Sequence, residues 1–145
     1  MREETTAPNY TALADFRTEL RRFLATSADA ARSAGIDPTQ HQLLLVVKGM
    51  EPMQVTIGDL ADRLMIKHHS AVELVNRCEQ NGWIERHRDD VDRRVVHVRL
   101  TAQGETILSD LSTLHMRELQ SSGPRLIKAL TAILKDNAIS GKGDQ

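Results

Sequence analysis

The sequence predicts a mainly α fold with a small β-hairpin wing. Apolar residues recur at helical spacing along most of the chain, and strict alternation replaces that period only near Val96-His97-Val98-Arg99-Leu100. Aromatic residues make up 3% of the 145 residues, too few for the sheet-rich folds that lean on Phe, Tyr and Trp. With 40% hydrophobic residues there is material for one globular core, so residues 1–145 are expected to form a single domain.

The elements follow in order. Leu13, Phe16, Leu20, Phe23 and Leu24 mark a first helix from Tyr10 to Ala34, with Gly35 as its stop. Asp37-Pro38-Thr39-Gln40 supplies an acidic cap, a proline at the first helical position and a Gln three residues after the cap, so a second helix should run to about Gly49. Glu51-Pro52 ends it. Thr56-Ile57-Gly58-Asp59 has capping-box spacing and opens a short third helix through Leu64. From His68 to Gly82, Ala71, Leu74, Val75 and Cys78 form the buried stripe of a fourth helix. Its opposite face carries His69, Val72, Glu73, Asn76, Arg77 and Gln80.

After Trp83, Val96, Val98 and Leu100 face one way, His97 and Arg99 the other, and Ile84 to Arg88 can pair with them. Asp89-Asp90-Val91-Asp92-Arg93 closes this hairpin. Thr101 caps a fifth helix bearing Ile107, Leu108, Leu111, Leu114 and Leu119. Gly123-Pro124 is expected to restart the chain into a sixth, with Leu126, Ile127, Leu130, Ile133 and Leu134 on its stripe. Residues 139–145 are expected to form a disordered tail.

Two short helices, a polar-faced helix and a charged hairpin describe a winged helix-turn-helix over residues 38–101, flanked by N- and C-terminal helices at 10–35 and 102–138. The apolar stripes of those flanking helices exceed what the winged helix needs for its own core. A homodimer would cover them, which makes them dimerisation helices.

The residues Thr56-Ile57-Gly58-Asp59-Leu60-Ala61-Asp62-Arg63-Leu64, then Leu74-Val75-Asn76-Arg77-Cys78-Glu79-Gln80-Asn81-Gly82-Trp83-Ile84, then Asp89-Asp90-Val91-Asp92-Arg93-Arg94 and Leu100-Thr101-Ala102-Gln103-Gly104 resemble the multiple-antibiotic-resistance regulator (MarR) family of bacterial transcription factors. The motifs lie within residues 56–104, roughly a third of the chain. The resemblance implies a homodimer that binds a pseudo-palindromic double-stranded DNA operator and regulates transcription, as a repressor. The chain departs from the family where the recognition helix begins, at Lys67-His68-His69-Ser70, and at Glu73, Cys78 and Trp83.

Candidate DNA contacts are Lys67, His68, His69, Ser70, Val72, Glu73, Asn76, Arg77, Asp92, Arg93 and Arg94. His68, His69 and Ser70 stand at the helix end that enters the major groove and can donate to phosphates or base edges. Val72 lies off the buried stripe, where it suits contact with a thymine methyl group or is simply an exposed valine. The resemblance implies that Asp92 orients arginines, holding Arg94 at the wing and pairing with Arg77 of the helix, while Arg93 or Arg94 enters the minor groove. It also implies a small aromatic or phenolic ligand near Phe16, Leu20, His41 and Leu45, residues that equally suit an ordinary core.

Charge alone is a weak guide. Arg63 to Arg99 holds eight Lys/Arg and six Asp/Glu, a modest local excess of +2 in a chain of net charge −1, which a solvated face would also explain. The single cysteine, Cys78, excludes an intramolecular disulfide and falls on a buried stripe, which suppresses thiol reactivity. The six histidines show no metal-ligand spacing, so no metal or cofactor is expected. No nucleophile elbow or phosphate-binding glycine loop points to an enzyme. The charged start, Met1-Arg2-Glu3-Glu4, and the short apolar run Leu43 to Val47 suit a cytoplasmic protein with no membrane partner. The rivals are a metal- or thiol-responsive regulator on the same fold and a protein-interaction module without DNA binding.

Overall fold

The computed structural model describes residues 7–140. Its elements are α1 (Tyr10–Ser33), α2 (Pro38–Gly49), β1 (Val55–Thr56), α3 (Ile57–Leu64), α4 (His68–Gln80), β2 (Ile84–Arg88), β3 (Val96–Leu100) and α5 (Ala102–Ser140). The chain divides into two compact units, Ser27–Leu114 and the two end segments up to Thr26 and from His115.

In Ser27–Leu114 the helix boundaries are set by local chemistry. Gly35 takes φ 83° after α1, a left-handed conformation that glycine adopts without steric cost. Asp37 caps α2, accepting from Thr39 N at 2.9 Å and from the Thr39 hydroxyl, and these bonds hold its carboxyl below the ordinary carboxylate range. Gln40 does not complete a capping box, because its oxygen accepts from Asn81 Nδ2 at 3.1 Å instead. Thr56 and Asp59 do form one: Asp59 N donates to Thr56 Oγ1 at 3.1 Å and Thr56 N to Asp59 Oδ2 at 3.0 Å.

The strands form one antiparallel sheet of order β1-β3-β2. Register pairs Ile84 with Leu100, Arg86 with Val98 and His87 with His97 across the hairpin, and Val55 with Val98 on the other side. The two-residue strand β1 was not among the expected elements, since two residues carry no period. Leu43, Leu44 and Val47 of α2, Leu60 of α3, Val75 and Cys78 of α4, Ile84, Val98 and Leu111 fill one core, each at most 3% exposed. Fully burying such an aliphatic side chain contributes about 1.5–3 kcal/mol.

The chain re-enters a helix after β3 through a close approach of backbone. Thr101 N donates to Trp83 O at 3.0 Å, and Thr101 Oγ1 accepts from Gly104 N at 3.1 Å as the cap of α5. A Cβ on Gly104 would lie 2.0 Å from Trp83 O, so only glycine fits there.

The expected break at Gly123-Pro124 does not occur: α5 runs as one helix through Pro124. Proline removes one backbone donor, yet the helix continues past it to Ser140. Of the expected tail, residues 139 and 140 belong to α5, and residues 141–145 lie outside the described residues, as does the charged start at 1–6. In the end unit Ala12 and Ala129 are buried, and Glu19 accepts from Arg22 Nη1 at 2.9 Å and Arg125 Nε at 3.1 Å. Tyr10, Leu13, Leu24, Ile127 and Leu134 of the same unit remain exposed.

Candidate nucleic-acid interface

The turn between α3 and α4 sets where α4 starts. Met65 closes α3 in the left-handed region at φ 54°, and Lys67 precedes α4 without a side-chain cap, so the first backbone donors of α4 have no side-chain acceptor from Lys67. The stripe Ala71, Leu74, Val75 and Cys78 is buried as expected and fixes the rotation of the helix. Outward, Lys67, His68, His69, Glu73, Asn76 and Arg77 are exposed, while Ser70 and Val72 are half-buried at the margin.

The wing tip is built from nested carboxylate turns. Asp89 Oδ1 accepts from Val91 N at 2.8 Å and Asp92 N at 2.9 Å, and Asp89 Oδ2 accepts from His97 Nε2 at 2.9 Å. The Asp92 N–H bond foremost, then His97 and the Val91 N–H, pull the Asp89 carboxyl down to about 2. Asp92 repeats the device: Oδ1 accepts from Arg94 N and Nε, both at 3.1 Å, and Oδ2 from Arg94 Nη2 at 3.2 Å. The Arg94 guanidinium and backbone N–H hold its carboxyl below the ordinary range. Arg88 Nη1 donates to Arg93 O at 2.9 Å, bracing the same loop from the strand. Arg93 and Arg94 are both left exposed, the Arg94 side chain at 91%.

The expected pair between Arg77 and Asp92 is not formed. Arg77 lies 3.8 Å from Glu73, one turn back on its own helix, and both oxygens of Asp92 are engaged by Arg94. A lock between helix and wing exists, made by a residue that sequence inspection passed over. Arg86 of β2 donates through Nη1 to Glu79 at 2.9 Å and through Nη2 to Asn76 at 2.5 Å, both on α4. His97 was the other omission. It is 7% exposed, and its ring centroid lies 5.3 Å from that of His87. The alternation Val96, His97, Val98 put it on the face of its register partner, which was the available signal.

Of the candidate ligand residues, Phe16 and Leu20 belong to the end unit, half-buried and 38% exposed, whereas His41 and Leu45 belong to the other. Though one turn apart on α2, His41 is 1% exposed and Leu45 44% exposed. Two clefts of about 400 and 390 Å³ are both lined by Arg125, and neither is lined by Phe16 or Leu20. The thiol of Cys78 is fully buried and pushed up to about 12, chiefly by desolvation. Among the described residues no group of three or more His, Cys, Asp or Glu is placed to hold a metal, and no helix is long and apolar enough to cross a membrane.

A three-helix core with a tight turn into an outward polar helix, backed by a three-stranded wing, defines a winged helix-turn-helix protein. The sequence profile of the MarR family matches residues 34–95, from the end of α1 to the wing. The transcriptional repressor MprA of Escherichia coli is 25% identical over 123 residues, covering 74% of this chain and 70% of MprA. AbsC, a MarR family transcriptional regulator from Streptomyces coelicolor, superposes with a TM-score of 0.73 at 18% identity over 99% of this chain and 100% of AbsC. A cysteine-to-serine mutant of Escherichia coli MarR complexed with operator DNA gives 0.67 at 21% identity, over 83% and 88% of the two chains. Over residues 34–95 the chain is similar to the MarR family, and it shares the fold of AbsC over nearly its whole length.

Proposed function

We propose that this chain is a sequence-specific double-stranded DNA-binding transcriptional regulator, a repressor that acts as a homodimer and is released by a small aromatic ligand. One observation carries the DNA contact. The wing presents Arg94 in an orientation fixed by Asp92, 91% exposed, beside a helix whose rotation is fixed by its buried stripe. A guanidinium aimed outward in this way suits the negative potential of a narrow minor groove, while Lys67, His68, His69, Ser70, Val72, Glu73, Asn76 and Arg77 meet the adjacent major groove. The relatives point the same way: MprA is named a transcriptional repressor, and the MarR mutant is complexed with operator DNA.

Mobility shift with selection from randomised duplexes tests the proposal. A two-fold dimer should select an inverted repeat whose half-site centres lie about 34–36 Å apart. Absence of binding, or selected sites without an inverted repeat, would overturn it. A thermal-shift screen of phenolic compounds tests ligand release. Compounds that raise the melting temperature should also weaken operator binding, since only a ligand with differential affinity shifts the equilibrium.

A further inference from the structure

Arg86 reaches from β2 to α4 and divides its fork between two side chains, Nη1 to Glu79 Oε1 at 2.9 Å and Nη2 to Asn76 Oδ1 at 2.5 Å. A guanidinium carries donors only, so the amide atom of Asn76 facing it must be the oxygen. The ion pair with Glu79 holds the other arm and restrains the guanidinium from turning away. Asn76 is therefore set in one of its two amide orientations, with the oxygen engaged by the wing and the NH2 group left to contact something else.

On the contact of α4 with DNA proposed above, we infer that Asn76 reads the major groove as a donor, taking an acceptor there, a keto oxygen (guanine O6 or thymine O4) or a purine N7, and that Arg86 is the positioning residue imposing this. An unrestrained asparagine makes the opposite choice. It pairs with adenine edge to edge, accepting from N6 and donating to N7. That contact needs both ends of the amide on one base, and at Asn76 one of the oxygen's two lone pairs is taken by Arg86, which turns the oxygen towards the wing. The remaining NH2 has no complement in the amino groups of adenine or cytosine and does have one in a keto oxygen or a purine N7.

The test pairs protein variants with single-atom changes in the selected duplex. Comparing sites selected by the wild-type chain and by Asn76→Ala locates the base pair that depends on Asn76; because Asn76 is exposed and Glu79 still holds Arg86, this variant should stay folded and melt close to wild type. Replacing guanine there by 2-aminopurine, or thymine by 5-methylpyrimidin-2-one, deletes the keto oxygen, and the 7-deaza purines delete N7; the deletion that removes the acceptor of Asn76 is the informative one. This should weaken wild-type binding about fivefold or more relative to the same change with Asn76→Ala. Replacing an adenine there by purine deletes the N6 amine and should cost wild type nothing beyond its cost to Asn76→Ala. In Arg86→Met the freed amide should acquire that N6 dependence. Arg86→Lys, which retains a donor to Asn76, should keep the wild-type pattern and serves if the Met variant does not fold. An Asn76-dependent loss on deleting N6, or identical site preferences in wild type and Asn76→Ala, would overturn the inference while leaving DNA binding intact. A wild-type protein that retains no duplex would overturn both.

Discussion

Asp92 stands 43% exposed between the backbone and guanidinium of Arg94, and its effect on binding separates two physical roles. As a lone anion near phosphates it would oppose DNA; as an acceptor it orients Arg94. The bonds at Arg94 favour orientation, so Asp92→Ala should weaken operator binding, by no more than about fivefold because solvent screens an exposed pair. Its salt dependence should stay near wild type. Arg94→Ala removes a cation from the DNA and should lower the magnitude of the log-affinity against log-salt slope by about 0.9 per subunit in contact. Salt titrations of both variants on one duplex decide this, and tighter binding by Asp92→Ala would refute the orienting role. Cys78 behaves differently, since its environment is apolar. Below pH 9 the thiol is protonated folded and unfolded, and its contribution is fully present; as pH rises from 9.0 towards about 12 the unfolded chain ionises first and stability falls. Urea midpoints at pH 8 and pH 10.5 should drop more for wild type than for Cys78→Ala, and Ellman's reagent should react at pH 8 only after unfolding. Reaction of the native thiol within minutes would restore the thiol-responsive rival.

Among the elements, the joint between the end of β3 and the start of α5 is the least tolerant. Gly104 lies against the carbonyl of Trp83, which Thr101 N already uses, so neither side can yield without breaking the strand-to-helix turn. Gly104→Ala should destabilise the fold by about 1–3 kcal/mol, the range for overpacking, despite raising helix propensity. Denaturant unfolding measures it, and a stabilised variant would mean that the turn adapts. The helices of this region were legible because their signals are short-range: a capping residue acts within three positions, and the stripe of α4 repeats every three to four. The wing strands were legible from alternation. Strand β1 was not, since Val55 and Thr56 become a strand only by pairing with Val98 and His97, some forty residues on. The unbroken α5 was missed for a related reason. A proline's local cost is fixed, and contacts distant in sequence decide whether it is met.

For the whole molecule, the exposed apolar residues of the end unit set the expected assembly. Tyr10, Leu13, Leu24, Ile127, Leu130 and Leu134 are all more than 40% exposed in the single chain, apolar surface that a second copy would cover. Light scattering at micromolar concentration should give about twice 16.2 kDa, and Ile127→Glu with Leu134→Glu should yield a monomer that binds the operator weakly. A monomeric wild-type mass would refute the dimer. The sequence by itself determined the order of the helices as far as the start of α5, the alternation of the wing strands, the buried face of α4 and the caps at Asp37, Thr56 and Thr101, because each rests on neighbours within about four residues of chain, while the Asp92–Arg94 contact was implied by the family resemblance. Only the tertiary structure decided that Arg86 rather than Arg77 joins helix to wing, that His97 is buried against Asp89 and His87, and that His41 and Leu45 part company on one helix. Exposed charges have several partners within reach at energies that differ by less than about 1 kcal/mol, and the distance between elements far apart in sequence selects among them.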